Sequence, residues 1–414
     1  MRSLLVRRSG LGLISGRDFS AFWDAPHRPL FLSAFLCALL TVAWWPLGVR
    51  LGLPAPAFPT AVLWHVHELI FGFTAAAIGG YLLTALPGWT AQPPLRGTGL
   101  KALTLAWVLA RIATAGFEAL PFAVPLLLNA AFFLGLSVFL CRQIAAAKAY
   151  RKLGLAAAVP ALGAGEAVFL TGAAAGDIWG CLALARIILT GLILLMFSAG
   201  ARAVPAFTRN WLAQQGYSGP PVQGWTRLCF LPQGLLALVV VLTLAGFSGA
   251  AHAALIASAV TMLWTMKGWR TCATLRNPLL AAQHMAFLWL PLGALAIGAA
   301  GLGFSGYPMA AAVHAITIGA MPGLIMAIAG RAACHAPDGT MRAGSGFKAG
   351  VVLVWLTAWV RLAVPLFPAH AETLITAAAL LWCAGWLAFV AGFLPALSGP
   401  VRRPVLSGRS VGKP

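Results

Sequence analysis

The sequence predicts an all-α integral membrane protein, a polytopic bundle of about twelve transmembrane helices. Three observations carry this. Of 414 residues, 61% are hydrophobic and 9% charged, where a soluble chain has roughly 25% charged residues. The mean hydropathy is +0.89. So few charges exclude an ordinary soluble globular protein, a disordered chain and a nucleic-acid binder. Second, apolar runs of about 20 residues, the length that crosses a bilayer core, recur along the chain. Third, the basic residues collect in alternate loops.

Taken in order, the N-terminal tail, residues 1–29, carries Arg2, Arg7 and Arg8. The stretch Leu11–Ile14 is too short for a signal-peptide core, so the first long run is read as a retained helix. Runs follow near 30–50, 61–86, 99–118, 121–141, 153–173, 179–203, 228–247, 250–268, 283–303, 308–332, 348–367 and 373–395. They define one membrane domain over 30–395, followed by a C-terminal tail over 396–414. One set of loops comprises the two tails and the segments near 87–98, 142–152, 204–227, 269–282 and 333–347. With the helix ends that border it, this set holds 24 of the 28 basic residues. The opposite set holds only Arg50. The positive-inside rule then places both termini in the cytoplasm and accounts for the net charge of +20 without nucleic acid.

The seven cysteines are scattered and form no CxxC, which argues against a disulfide framework or a structural zinc site. Gly319 and Gly323 form a GxxxG pair, and Gly163, Gly165 and Gly172 a looser small-residue face; both are read as helix packing.

Three basic residues lie inside apolar runs: Arg111, Arg186 and Arg361. A charge there costs at least ~2.5–3.5 kcal/mol on insertion scales, which marks each as a functional candidate. At about 1.5 Å per residue, Arg111, Glu166, Arg186, Arg361 and His314 all fall about 9–10 Å below the outer boundary. His65, His67 and Glu68 fall about 6–10 Å below it. One shared polar site near the outer face is therefore expected, lined by three histidines, three arginines and two carboxylates. Histidines on different helices suit a haem iron or a copper ion, and arginines suit anionic groups such as haem propionates. His65 and His67, two apart, point to nearly opposite sides of a helix, so only one is expected to share a metal with His314. His65 and Glu68 are expected to share a face, continued by Gly72. The plainer reading makes the histidines interfacial and pairs the arginines with Glu68, Glu166 or backbone carbonyls.

The run WHVHELIFGF at 64–73, continuing through GGYLLTALPGWT at 79–90 to PPLRG at 93–97, resembles the NnrS family. So do HAITIGAM at 314–321, RAVPAFTRNW at 202–211 and QHMAFLWLPLG at 283–293. The resemblance implies a bacterial inner-membrane protein associated with haem and copper, linked to the nitric oxide response, to tolerance of nitrosative stress and often to denitrification. It maps the family pattern onto His65, His67, Glu68 and His314, and places Arg111 and Arg361 where similar members carry arginine. Pro322 departs from the pattern and is expected to kink the helix just below His314.

Two function classes follow. The first is a membrane protein with non-covalent b-type haem and copper that binds or detoxifies nitric oxide, with quinol as a possible class of electron donor. No CxxCH occurs to attach haem covalently. The second is a secondary transporter for an anionic or metal-containing small molecule, since buried charges at one depth and helices interrupted by Pro87, Pro160, Pro291 and Pro322 also suit moving elements. A scaffold for respiratory assembly, with incidental histidines, is the plainest alternative.

Overall fold

A computed structural model describes residues 18–304, 306–336 and 338–406. The basic tail residues Arg2, Arg7, Arg8, Arg409 and Lys413 lie outside the described residues. Among the described residues, eleven helices are long and apolar enough to cross a membrane. They are α1 (His27–Gly48), α2 (Ala61–Thr90), α4 (Ala123–Ala146), α5 (Tyr150–Ala174), α6 (Ile178–Gln214), α7 (Arg227–Leu244), α8 (Ser248–Met266), α9 (Pro278–Gly301), α10 (Met309–Ala333), α11 (Ser345–Leu366) and α12 (Pro368–Leu397). The expected run at 99–118 forms the helix α3 (Gly97–Ala115), which carries Lys101 and Arg111 and is not among the eleven. The helical state follows from the solvent: within lipid, each backbone donor and acceptor must be satisfied inside its own segment.

Local signals set the helix starts. The Thr60 hydroxyl accepts from Leu63 N at 3.1 Å to begin α2. The Asp177 carboxylate accepts from Gly180 N at 2.9 Å to begin α6, and Asn277 accepts from Leu279 N at 3.0 Å just before Pro278 begins α9. Between α5 and α6 the chain turns at Gly176, whose φ of 74° suits glycine. The helix α6 runs farther than the expected 179–203. Its 37 residues make about 55 Å against a hydrocarbon core of about 30 Å, so its last turns, with Arg202 and Arg209, extend past the membrane.

The interior forms two apolar clusters. One gathers residues of α1–α5 and α12 around Phe35, Phe71, Phe169 and Trp386. The other gathers residues of α6–α10 around Phe197, Phe287, Trp289 and Ile316. Burial gives no hydrophobic gain between helices in lipid, so close approach at small residues matters more. A Cβ on Gly319 would sit 2.4 Å from the Trp289 ring, and one on Gly323 would sit 2.8 Å from Ala286. The GxxxG pair is thus the face on which α10 packs against α9. Gly163 likewise admits Phe133 of α4 against α5.

Three wide π-turns interrupt the helices: Ala43–Gly48 in α1, Glu68–Phe73 in α2 and Ala315–Ala320 in α10. Two have a proline at hand. Pro46 lies within the first, and Pro322, which has no N–H to give the preceding turn, follows the third. The irregularity expected near Pro322 therefore takes the form of a π-turn immediately after His314.

Candidate functional site

The histidines of α2 face different neighbours, as their spacing predicts. His67 is fully buried. Its Nδ1 lies 3.1 Å from Glu68 Oε1, and its Nε2 lies 3.1 Å from Glu166 Oε1 of α5. The second contact is an ion-pair approach outside hydrogen-bonding geometry. Arg111 of α3 joins the same two carboxylates, with Nη1 2.9 Å from Glu68 Oε1 and Nη2 3.4 Å from Glu166 Oε1. Its Nη2 also donates to the side-chain oxygen of Asn129 on α4. Asn129 in turn donates to Thr114 Oγ1 at 3.2 Å and to the Pro125 carbonyl at 2.8 Å. Phe58, Phe71 and Phe169 enclose the imidazole, with ring centroids 5.3–5.9 Å away.

The π-turn explains how this cluster is assembled. It starts at Glu68, whose carboxylate meets His67 and Arg111 and not His65, which corrects the expectation that His65 and Glu68 act on a common face. A π-turn also leaves carbonyls short of partners. Side chains take them up: Cys37 Sγ lies 3.6 Å from the Glu68 carbonyl, Thr74 Oγ1 donates to Leu69 O at 2.8 Å, and Trp107 Nε1 donates to Gly72 O at 3.0 Å. Gly72 makes room for the guanidinium, since a Cβ there would lie 2.7 Å from Arg111 Nη1.

His65 belongs to a second group. Its ring stands against Trp45 at 5.1 Å, beside the π-turn of α1 where the Trp45 backbone is extended. The charge of Arg361 on α11 acts on both His65 and His314 of α10, and His65 lies close enough to act on His314. Both rings are half-buried. The His65 Nδ1 is buried and makes no hydrogen bond, and the buried His314 Nδ1 lacks a well-formed one, with only the carbonyls of Ala310 and Ala311 on its own helix nearby. Arg361 itself is half-buried, and among the described residues it forms no ion pair with a carboxylate. Tyr307, whose hydroxyl donates to the Leu362 carbonyl at 2.5 Å, stands close to it. Each of the three π-turns therefore borders a residue of these two groups.

The expected single layer thus resolves into two groups on opposite sides of α2. Arg186 joins neither: it is exposed on α6, with His252 as its titratable neighbour, which corrects its expected place in the bundle interior. His284 lies apart, between Thr208 and Thr271. Asn129, Cys37 and Trp45 were missed in the sequence. Asn129, a lone amide inside an apolar run, carried a usable signal; Cys37 and Trp45 carried none, because apolar runs commonly contain both residue types. Among the described residues, no three or more His, Cys, Asp or Glu side chains are grouped to hold a metal ion.

No curated protein matches the chain. The model of the NnrS protein family matches it from residue 21 to residue 400, across all twelve helices and both polar groups. The chain therefore belongs to the NnrS family and is a multi-pass membrane protein of the kind associated with the response to nitric oxide.

Proposed function

We propose that this protein is a bacterial inner-membrane haem protein that protects the cell from nitric oxide and nitrosative stress. In this reading His65 and His314 hold a non-covalent b-type haem, and Arg361 pairs with a propionate. One observation carries it. Two half-buried imidazoles on separate helices, His65 with a buried Nδ1 that has no partner and His314 with only carbonyls of its own helix nearby, lie beside an arginine that forms no carboxylate pair among the described residues. Buried polar atoms are ordinarily satisfied, so such a set suits a group that supplies a metal and an anion.

Held by both imidazoles, a haem would serve mainly to transfer electrons; it would bind nitric oxide where one of the two histidines leaves a position open. The chain's own residues bind and orient. Trp45 limits rotation of the His65 ring, and the π-turn after His314 sets the direction of that side chain. Nitric oxide, small and apolar, reaches an outer-leaflet site through the lipid, and a quinol-class donor supplies electrons for turnover. Both termini face the cytoplasm, on the evidence of the loop charges. Copper, which the family implies, finds no set of three or more His, Cys, Asp or Glu ligands among the described residues. His67, with carboxylates at both nitrogens, serves as a support for α2 in this reading.

The test is an absorbance spectrum of protein purified from haem-replete cells, with haem and copper measured per folded protein. A reduced-minus-oxidised haem signal that is lost in His65→Ala and His314→Ala but kept in His67→Gln supports the assignment. Full haem in every variant, or a colourless wild-type protein, overturns it.

A further inference from the structure

We propose that the basic end of the α6–α9 region holds a phosphate-binding site, and that its occupant is the headgroup of an anionic phospholipid. The site is a polar cavity of about 350 Å³ between the turn before α7 and the end of α8. It is lined by Gln223, Gly224, Thr226, Lys267, Gly268 and Arg270. A single ordered water needs only about 10–15 Å³, so the space is suited to a polyatomic group.

The charge around it is one-sided. From Ile178 to Pro337 the sequence contains no Asp or Glu, yet it carries eight arginines and lysines. Two of these, Lys267 and Arg270, line the cavity. Arg209 of α6 comes near its wall, its Nη1 standing 3.2 Å from where a Gly224 Cβ would be. No ion pair among the described residues involves any of the three. Arg270 shows the shortfall at one atom, because its Nε is buried and makes no hydrogen bond. Guanidinium and ammonium donors beside a threonine hydroxyl form the usual set for a phosphate oxygen.

The surroundings decide between a lipid and a soluble anion. Trp264 lines the cavity and is 64% exposed, with the Lys267 ammonium 5.4 Å from its ring centroid. Phe230 and Leu231, just after the lining residues Leu228 and Cys229, are also exposed. An apolar rim with an interfacial tryptophan beside basic donors offers a place for acyl chains below a phosphate. A soluble anion would have no use for that rim.

Native mass spectrometry of the full-length protein in detergent tests this, with phosphatidylglycerol and phosphatidylcholine of matched acyl chains. We expect phosphatidylglycerol to be retained about tenfold more tightly than phosphatidylcholine, and this preference to fall to near unity in the double variant Lys267→Gln/Arg270→Gln. The variant Arg142→Gln/Lys148→Gln removes equal charge from the exposed end of α4 and the turn after it, and is expected to keep the preference. Equal binding of the two lipids by the wild-type protein would overturn the proposal, and this arm does not depend on any variant folding. Equal loss in the control variant would overturn the site. Displacement of phosphatidylglycerol by millimolar inorganic phosphate would overturn the lipid assignment in favour of a soluble anion.

Discussion

The two sides of α2 make an instructive contrast. On one, His67 has a carboxylate at each nitrogen, and both carboxylates share Arg111. On the other, two residues away, His65 has a buried Nδ1 with no partner and an arginine for its charged neighbour. The first group is closed: its charges answer one another across α2, α3 and α5, and Asn129 ties in α4. The second is open, with His314 and Arg361 adding donors and positive charge but no acid. A closed network inside a membrane fixes helices in place, whereas an open one is completed by something that the chain does not encode. Residue type alone does not separate the two, since both contain histidine and arginine.

The largest expected effect tests how far the first group is closed. Arg111→Leu leaves Glu68 and Glu166 buried together without their cation, and breaking a buried pair in this way costs about 3–5 kcal/mol. Thermal unfolding in detergent measures it. Arg361→Leu, which breaks no carboxylate pair among the described residues, should shift the same transition far less while reducing haem retention. Equal destabilisation by both would erase the contrast.

Gly72→Ala is the next in size. The new Cβ would meet Arg111 Nη1, Cys37 Sγ and Glu68 Oε2 within 3.1 Å, and overpacking of this kind costs about 1–3 kcal/mol. Haem content should fall less than stability, because the clash is on the His67 side. Asn129→Ala removes the amide that links Arg111 to Thr114, and a loss of about 1–2 kcal/mol is expected from the same unfolding measurement. A larger fall in haem than in stability would mean that the two sides are coupled through α2. The smallest effect is expected for Arg186→Gln, which lies exposed outside both groups and should change stability by no more than about 0.5 kcal/mol with haem unaffected.

Much of the site was legible before the structure. The depths of His65, His67, Glu68, Arg111, Glu166, His314 and Arg361 follow from helix boundaries and the rise per residue, and the opposite facing of His65 and His67 follows from helical periodicity. The same arithmetic placed Arg186 with them, whereas its side chain is exposed on α6. Depth is a coordinate along a helix, while the direction of a side chain around the helix depends on which neighbours pack there. Around Arg186 on α6 the positions are apolar except for Thr190, whose hydroxyl is taken up by the Arg186 carbonyl, so little in the sequence marked its direction.

The sequence by itself determined that the chain crosses a membrane many times, where most crossings begin and end, and which polar residues are buried at a cost. These are properties of single segments in lipid, set by composition and by the need to satisfy the backbone locally. Only the tertiary structure decided that the polar layer divides into a closed and an open group. That division depends on which neighbours reach α2: Arg111 and Glu166 on the His67 side, Arg361 and His314 on the His65 side, and Cys37 and Trp107 at the carbonyls of the π-turn Glu68–Phe73. The π-turn exposes carbonyls that α2 satisfies only in part, through Thr74, and donors from neighbouring helices meet the others. No reading of α2 alone supplies those donors.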